Sequence, residues 1–422
     1  MADEPQASAD EIRKWIRSTW RLEMTVRQWW AALHEAGLAF PTWPVGLGGR
    51  EASGAFARTV TTELAAAGVI GPPGGNGTTM AAPTLLRHGP EDLIKKFLPA
   101  LVRGTEAWCQ LFSEPGAGSD LASLQTTAVL DGDEWVVNGQ KVWTTNAHVS
   151  NRGYLLARTD PDVPKHKGIT YFVIDLDQPG VEVRPLRQIN GDAEFNEVFF
   201  TDARIPAGRV VGTVHDGWGV AMTTLGFERQ GAGRGGARGL VRVDPGDKGG
   251  NLDRPVGQLV SDREGVSGRP RVYAMSSRRM IELARSTGRK SDSTVRQRLV
   301  SYYCMTEVHR FNGLRAQAGA ALGRPPGPEA SIAKLAISNI ARASRGLSLD
   351  LLGPAGTLVG PDGPEAGAIA DMALSSFAAG LGGGTDEIQR NVIGERALGL
   401  PREPQTDRDV PFRNLKVGTQ RD

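Results

Sequence analysis

The sequence predicts an α+β protein of several domains: an α-helical N-domain, a central antiparallel β-domain and a C-terminal α-helical bundle. Its 422 residues exceed the usual size of one hydrophobic core. The spacing of apolar residues changes from helical to alternating near residue 106 and returns to helical after residue 212. We place the domains at 1–105, 106–212 and 213–404, followed by a tail at 405–422.

The N-domain prediction rests on helical spacing and on clusters of helix-breaking residues. Ile12, Trp15 and Ile16 recur at helical spacing, and a further helix is predicted over 56–67. A glycine-rich cluster at 71–77 interrupts the helices, which then continue to about residue 103. This part of the chain is therefore expected to consist of helices separated by loops.

The β-domain prediction rests on alternating apolar and polar residues separated by turn residues. Asn138-Gly139 is a strong hairpin signal, so we expect a turn there between two short strands. The predicted strands cover 125–130, 134–137, 140–144, 153–158, 169–175, 181–186 and 195–200.

The C-domain begins with a segment, 218–227, that carries no charge and predicts a helix buried on most sides. All nine tryptophans lie at or before Trp218, so the composition changes at the same place. A glycine-rich, charged insert at about 231–271 is predicted to be a mobile loop. Further helices are predicted over 272–287, 295–322, 329–352 and 386–398.

Composition excludes several classes of function. The 49 basic and 47 acidic side chains leave a net charge of +2, too little to indicate binding to nucleic acid or to an anionic membrane. No apolar run reaches the length of about 18 residues that a membrane span needs. Two distant cysteines fit a reducing cytoplasm, and six scattered histidines show no spacing for a metal site. We expect a soluble cytoplasmic protein without a bound metal.

A glycine-rich turn follows a predicted strand in Cys109-Gln-Leu-Phe-Ser-Glu-Pro-Gly-Ala-Gly-Ser-Asp120. Such a turn can direct backbone N–H groups, and the hydroxyls of Ser113 and Ser119, at an anion such as a pyrophosphate. A plain surface turn is the alternative, because these residues are common in turns.

Four segments together resemble the acyl-CoA dehydrogenase family. They are SEPGAGSD at 113–120, GQKVWTTNA at 139–147, FNEVFFTDARIP at 195–206 and GGGTDEIQRNVIGERALGLP at 382–401. The resemblance runs from about Trp30 to Pro404 in the family's order and spacing. It implies FAD as cofactor, an acyl-CoA substrate, an electron-transfer flavoprotein or similar acceptor, and a homodimer, homotetramer or heterotetramer with a homologous chain.

The resemblance also implies which residues contact FAD. Ser113 would bond the pyrimidine end of the flavin, Thr145 would lie near flavin N5, and Ser119 would lie by the phosphates. Residues of the neighbouring subunit complete each site in the family. The full implied set is Ser113, Ser119, Trp143, Thr144, Thr145, Arg285, Gln297, Gly353, Gly356, Thr385 and Glu387.

The family reaction needs a carboxylate that takes the α-proton while the β-hydrogen leaves as hydride to the flavin. Many members carry this carboxylate at the tail position where this chain has Gly383, which keeps only a backbone donor for the thioester oxygen. Other members place it on the first C-domain helix, at the position of Glu228, next to the family arginine, Arg229. Because 218–227 is uncharged, Glu228 would be partly desolvated and its pKa raised. The alternative is that both charges mark the solvated end of the helix.

Two other functions stay open on the sequence. The chain could be a subunit without its own base, similar to heteromeric family members that act on sterol side chains. Gly383 supports that reading, as does Asp350, where many members have a glutamine for the neighbour's FAD. An RNA-binding role would depend on the short Gly-Arg motif at 233–239. The insert could also cover the mouth of the active site, because it follows Glu228 directly.

Overall fold

The computed structural model describes residues 4–233, 241–261, 273–322, 327–404 and 407–416. The N-domain contains α1 (Glu4–Thr19), α2 (Val26–Glu35), α3 (Gly54–Ala66), α4 (Ala82–His88) and α5 (Glu91–Val102). A π-helical turn, Gly77–Ala81, leads into α4.

Two adjacent tryptophans hold the centre of the N-domain. Trp29 and Trp30 are fully buried on α2, and their indole Nε1 atoms donate to the backbone oxygens of Ile70 (2.7 Å) and Gly71 (2.8 Å). Burying each ring with its N–H paired avoids the cost of an unsatisfied donor. Thr25 starts α2 with a capping box, in which its hydroxyl accepts from the amide of Gln28.

The central domain is a seven-stranded sheet with the order β1-β4-β2-β3-β7-β6 and with β5 paired to β4. Most neighbours are antiparallel, whereas β1 runs parallel to β4 and one residue pair of β2 and β4 is parallel. The ring centroids of Trp135 and Phe172 lie 5.3 Å apart in its core. The strands are β1 (Trp108–Leu111), β2 (Thr127–Asp131), β3 (Glu134–Thr145), β4 (Arg152–Arg158), β5 (Ile169–Asp175), β6 (Val181–Leu186) and β7 (Phe195–Pro206).

The predicted turn at Asn138-Gly139 is wrong, because β3 continues through it. The register of β3 on β7 shifts between Val137 and Gly139, which marks an irregularity of the bulge type in a continuous strand. The Asn138 side chain donates to and accepts from Asp202 on β7 at 3.0 Å. A Cβ at Gly139 would lie 2.5 Å from Thr126 Oγ1, so the glycine allows close strand packing.

The C-domain contains α6 (Gly217–Gly233), α7 (Val256–Ser261), α8 (Ser277–Ser286), α9 (Ser293–Ala321), α10 (Glu329–Leu352), α11 (Ala368–Ser375) and α12 (Asp386–Arg396). Met280, Val295, Tyr302 and Leu347 belong to the buried core that joins α8, α9 and α10. The predicted helix 272–287 is shorter in the structure, because the Ser276 hydroxyl caps the amide of Arg279 and starts α8 at Ser277.

The predicted mobile loop is wrong for the part of the insert that the structure describes, 241–261. Val243, Leu252, Val256 and Leu259 are buried there and join the N-domain core. The amide of Val256 donates to the oxygen of Met24 at 2.7 Å. Burial of these four apolar side chains accounts for the order of the segment. Most of the Gly-Arg motif, 234–239, lies outside the described residues.

Across the described ranges, no helix combines the length and the apolar character that a membrane span requires. The same residues contain no group of three or more histidine, cysteine, aspartate or glutamate side chains placed to hold a metal ion.

Candidate active site

Glu228 lies near the end of α6 on the helix face that is buried against the rest of the molecule. Ala221 and Thr224, seven and four residues before it, are fully buried on that face. α6 packs on α4, on the π-helical turn, on β5 and on α10. The carboxylate is therefore delivered to a junction of all three domains.

Burial raises the pKa of the Glu228 carboxyl, while the nearby Arg229 guanidinium and the Gln110 side chain partly oppose the increase. Burial also lowers the pKa of Arg229, against the attraction of Glu228 and together with repulsion from Arg396. A carboxylate in this environment is a stronger base than an exposed one.

Gly383 lies beside Glu228, although 155 positions separate them in the chain. A Cβ built on Gly383 would be 3.7 Å from Glu228 Oε1. Gly383 has a φ of +68°, which favours glycine. Its oxygen accepts from Gln389 Nε2 at 2.9 Å, and no described residue accepts from its N–H. The α6 carboxylate and the tail backbone thus face the same space.

The two segments predicted to contact a flavin are joined by a buried ion pair. Lys141 Nζ lies 2.8 Å from Glu114 Oε1 and donates to the oxygen of Phe112 at 3.0 Å. Burial alone would raise the pKa of Glu114, but Lys141 and hydrogen bonds from Thr126 and Gln125 outweigh burial and lower it. Burial lowers the pKa of Lys141 against the attraction of Glu114.

This pair sets the position of the residues around it. Ser113 is half-buried beside Glu114, and its backbone oxygen accepts a hydrogen bond from the amide of Val142 at 2.9 Å. Ser119, further along the turn, is exposed. The glycine-rich turn is therefore fixed at Ser113 and open to solvent at Ser119.

Trp143 and Thr144 lie at an irregularity of β3, where the register on β7 shifts. Trp143 has a φ of +61°, is 61% exposed and packs edge-on against Phe195, with ring centroids 5.8 Å apart. Thr144 is buried, and its hydroxyl has no hydrogen-bond partner among the described residues. Thr145 follows as a half-buried residue paired with Phe195. A bulky residue with positive φ is strained, and such strain is found at functional sites.

The quoted segment 382–401 contains α12 and the turn before it. Thr385 caps this helix by accepting from the amide of Ile388 at 3.4 Å. Asp386 is buried, with Oδ2 2.7 Å from Arg342 and Oδ1 3.5 Å from Lys334. Glu387 is exposed and pairs with Arg390.

The remaining predicted residues are not brought to this group of side chains. Arg285 and Gln297 are exposed on α8 and α9, and Gly353 and Gly356 follow α10. Asp350 pairs with Arg298 of the same chain. None of the hydrogen bonds or ion pairs between described residues joins this second set to Ser113, Trp143 or Thr385.

Glu114, Lys141, Gln110 and Gln389 were missed from the sequence. Glu114 and Lys141 stood inside two of the quoted segments, and the available signal was a charged residue, Lys141, within a predicted strand. Gln110 and Gln389 gave no signal, because an isolated glutamine in a strand or helix is most often a surface residue.

Comparison with known proteins decides the family. Residues 5–105, 109–203 and 266–398 match the N-terminal, middle and C-terminal domains of acyl-CoA dehydrogenase. The chain is 41% identical over 379 residues to the acyl-CoA dehydrogenase IpdE1 of Mycobacterium tuberculosis, covering 89% of this chain and 88% of the relative. This chain belongs to the acyl-CoA dehydrogenase family. It is an oxidoreductase, as the sequence predicted, and members of its family are flavoproteins that generally bind FAD.

Solved structures of acyl-CoA dehydrogenases share the fold. The structure described as the Tcur3481-Tcur3483 steroid ACAD has a TM-score of 0.70 at 25% identity and covers 96% of this chain and 99% of its own. The ChsE4-ChsE5 complex from Mycobacterium tuberculosis has a TM-score of 0.65 at 25% identity and covers the same shares. The predicted order of helical, β and helical domains is confirmed.

Proposed function

We propose that this chain is a catalytic acyl-CoA dehydrogenase in which Glu228 removes the α-proton of an acyl-CoA thioester. The observation that carries the proposal is the approach of Glu228 Oε1 to within 3.7 Å of the Cβ position of Gly383. Glycine stands at residue 383, where many family members carry the catalytic carboxylate, and α6 would supply a carboxylate to the same space. No side chain at Gly383 fills the space next to Glu228.

The residues present fit FAD as cofactor. The unpaired hydroxyl of Thr144 and the exposed, strained Trp143 lie in the segment expected to contact the flavin. The N-terminus of α12 offers backbone amides to an anionic part of the molecule. FAD, when bound, would accept the β-hydrogen as hydride.

The chain's own residues would handle the proton and the developing charge. Ionised Glu228 takes the α-proton, which makes negative charge grow on the thioester oxygen. The Gly383 N–H would donate to that oxygen, and such a donor stabilises charge in a site from which water is excluded. Arg229 opposes the rise in the pKa of Glu228 that burial causes.

A second candidate is a subunit that completes the fold but lacks its own catalytic half-site. The observation that favours it is Asp350, which stands where many family members have a glutamine for the neighbour's FAD and whose carboxylate pairs with Arg298 of the same chain. The fold is also shared with the ChsE4-ChsE5 complex. In either case we propose that the chain forms an oligomer and passes its electrons to an electron-transfer flavoprotein or a similar acceptor. We also propose that it works in the reducing cytoplasm, because Cys109 and Cys304 are both free thiols.

The test is to mix the protein anaerobically with a panel of acyl-CoA thioesters and to measure the rate of reduction of the bound flavin from its visible absorbance. We expect Glu228→Gln to slow reduction by about 10²–10⁴ relative to wild type, the usual contribution of a positioned general base. Glu182→Gln, at an exposed glutamate of β6, serves as the matched control and should leave the rate unchanged. Reduction of the Glu228→Gln protein at nearly the wild-type rate would refute the assignment.

A further inference from the structure

The C-terminal segment 407–416 lies beyond the residues that match the family, yet it is bound to the β-domain. The amide of Phe412 donates to the oxygen of Val163 at 2.9 Å, and that of Arg413 donates to the oxygen of Pro161 at 3.0 Å. These bonds attach the segment to the loop between β4 and β5. The matched C-terminal domain ends at residue 398.

One connection runs from this segment to the end of the glycine-rich turn. Lys165 Nζ lies between two carboxylates, 3.0 Å from Asp407 Oδ2 and 3.1 Å from Asp120 Oδ2. Only 12% of the Lys165 side chain is exposed, so this ion pair is screened less than one at the surface. Asp120 Oδ2 also accepts from the Ser123 hydroxyl at 2.5 Å. Asp120 follows directly after Ser119, the residue expected at the cofactor's phosphates.

A second connection passes through a buried arginine. The guanidinium of Arg158 lies 3.6 Å from the ring centroid of Phe412. It donates to the oxygens of Ala122 (2.6 Å) and Lys165 (2.9 Å), and no described carboxylate lies within ion-pair distance of it. Burial lowers the pKa of Arg158 to about 10. Glu114 and Asp160 attract this cation only from beyond ion-pair distance, so the aromatic face of Phe412 adds a direct contact that stabilises it.

We propose that segment 407–416 is a clamp that holds the glycine-rich turn in its cofactor-binding conformation, with Phe412, Arg158 and Lys165 as positioning residues. The inference rests on the proposed function, because it takes that turn as the site for the FAD phosphates. Asp120 and Ala122 are held from the tail side, and Gln125 and Thr126 are held from the core side by Glu114. Loss of the clamp would free the end of the turn at Asp120 and the residues that follow it, and ordering them again would weaken cofactor binding.

The experiment uses the full-length chain and compares Phe412→Ala and Lys165→Met with wild type. Two quantities are measured: the FAD dissociation constant from flavin fluorescence, and hydrogen exchange of the amides of 119–126 in the cofactor-free protein. We expect FAD affinity to fall about tenfold, exchange over 119–126 to accelerate, and far-UV circular dichroism to stay unchanged. Phe412→Tyr should retain wild-type values. Lys167→Met, at an exposed lysine near Lys165, is the control.

Unchanged exchange over 119–126 in both variants would overturn the clamp. Faster exchange with unchanged FAD affinity would overturn its role in positioning the turn for the cofactor. A wild-type chain that binds no FAD in any assembly would contradict the proposed function instead, and the exchange measurement would still decide whether the clamp exists. An equal effect of Lys167→Met would also overturn the proposal, because the specific contacts of Lys165 would then be irrelevant.

Discussion

Glu228 is set apart by the absence of other charges on the preceding turns of α6. Residues 218–227 carry none, so this helix can pack against three domains and bring one carboxylate into a buried junction. The same burial raises the pKa of that carboxylate. Its position in the packing therefore gives it the strength of a base.

The raised pKa of Glu228 has a measurable consequence for pH dependence. Only the ionised form takes a proton, so kcat/KM should fall as pH decreases through the raised pKa. An unperturbed glutamate titrates near about 4.3, and the acidic limb should lie above that value. The check is a profile of kcat/KM against pH with a saturating electron acceptor. A limb at the ordinary value of glutamate would contradict the raised pKa of Glu228.

The buried pair of Glu114 and Lys141 is a second feature of single residues. Lys141→Met should lower the free energy of unfolding by about 3–5 kcal/mol, because it leaves the Glu114 charge buried without its cation. The double variant Lys141→Met with Glu114→Gln should lose less. Because the pKa of Glu114 is lowered in the folded chain, this stabilisation exists above the unfolded pKa and is lost as pH falls through the folded one.

Denaturant unfolding at neutral pH measures these differences. Lys95→Met is the matched control, since Lys95 pairs with Glu91 on the surface, where solvent screens the interaction. A loss for Lys141→Met no larger than that for Lys95→Met would show that the buried pair contributes little.

The segment 241–261, expected to be a mobile loop, instead contributes to the N-domain core. It lies between the matched middle and C-terminal domains, outside both, and still contributes buried residues to the N-domain core. Lys248 also connects it to the β-domain, through Asp177 Oδ1 at 2.6 Å and the oxygen of Ser150 at 3.1 Å. The segment thus links two domains that precede it in the chain.

We therefore expect Leu259→Ala to destabilise the N-domain. Leu259 is fully buried, and a cavity of this kind costs about 2–5 kcal/mol. Tryptophan fluorescence during denaturation can follow this domain, because Trp29 and Trp30 share its core. Leu130→Ala, at an exposed leucine of β2, is the control and should have little effect. Equal unfolding midpoints for the two variants would indicate that 241–261 is a dispensable loop after all.

On the scale of the whole molecule, α9 exposes a row of large apolar side chains. They are Val300, Tyr303, Val308, Phe311 and Leu314, each close to half exposed or more. We expect this exposed apolar stripe to form an interface with another chain. The cofactor residues expected on α8 and α9 are also exposed and separated from the Glu228 site, which agrees with an oligomer.

Phe311→Asp should therefore reduce the mass of the assembly in solution and lower the flavin content with it. The charge would be buried without a partner in an interface, which disfavours association. Size-exclusion chromatography with light scattering gives the mass, and absorbance gives the flavin per chain. Val129→Asp, at an exposed valine of β2, should keep both values. A smaller assembly that retains full flavin would show that one chain suffices for the cofactor.

The sequence by itself determined the three-domain order, the family, β5 and β6 to the residue, and the segments that surround the candidate site. These are local properties, because periodicity and contiguous motifs are carried by neighbouring residues. It did not predict that 241–261 is ordered, since those residues gain their stability from α2, more than 200 positions earlier. It also misassigned Asn138-Gly139, whose turn preference yields to pairing with Asp202 and close packing on Thr126. The approach of Glu228 to Gly383, and the pairing of Glu114 with Lys141, were decided by the tertiary structure. Both depend on how domains pack, and no local pattern records a distance between residues that only the folded core brings together.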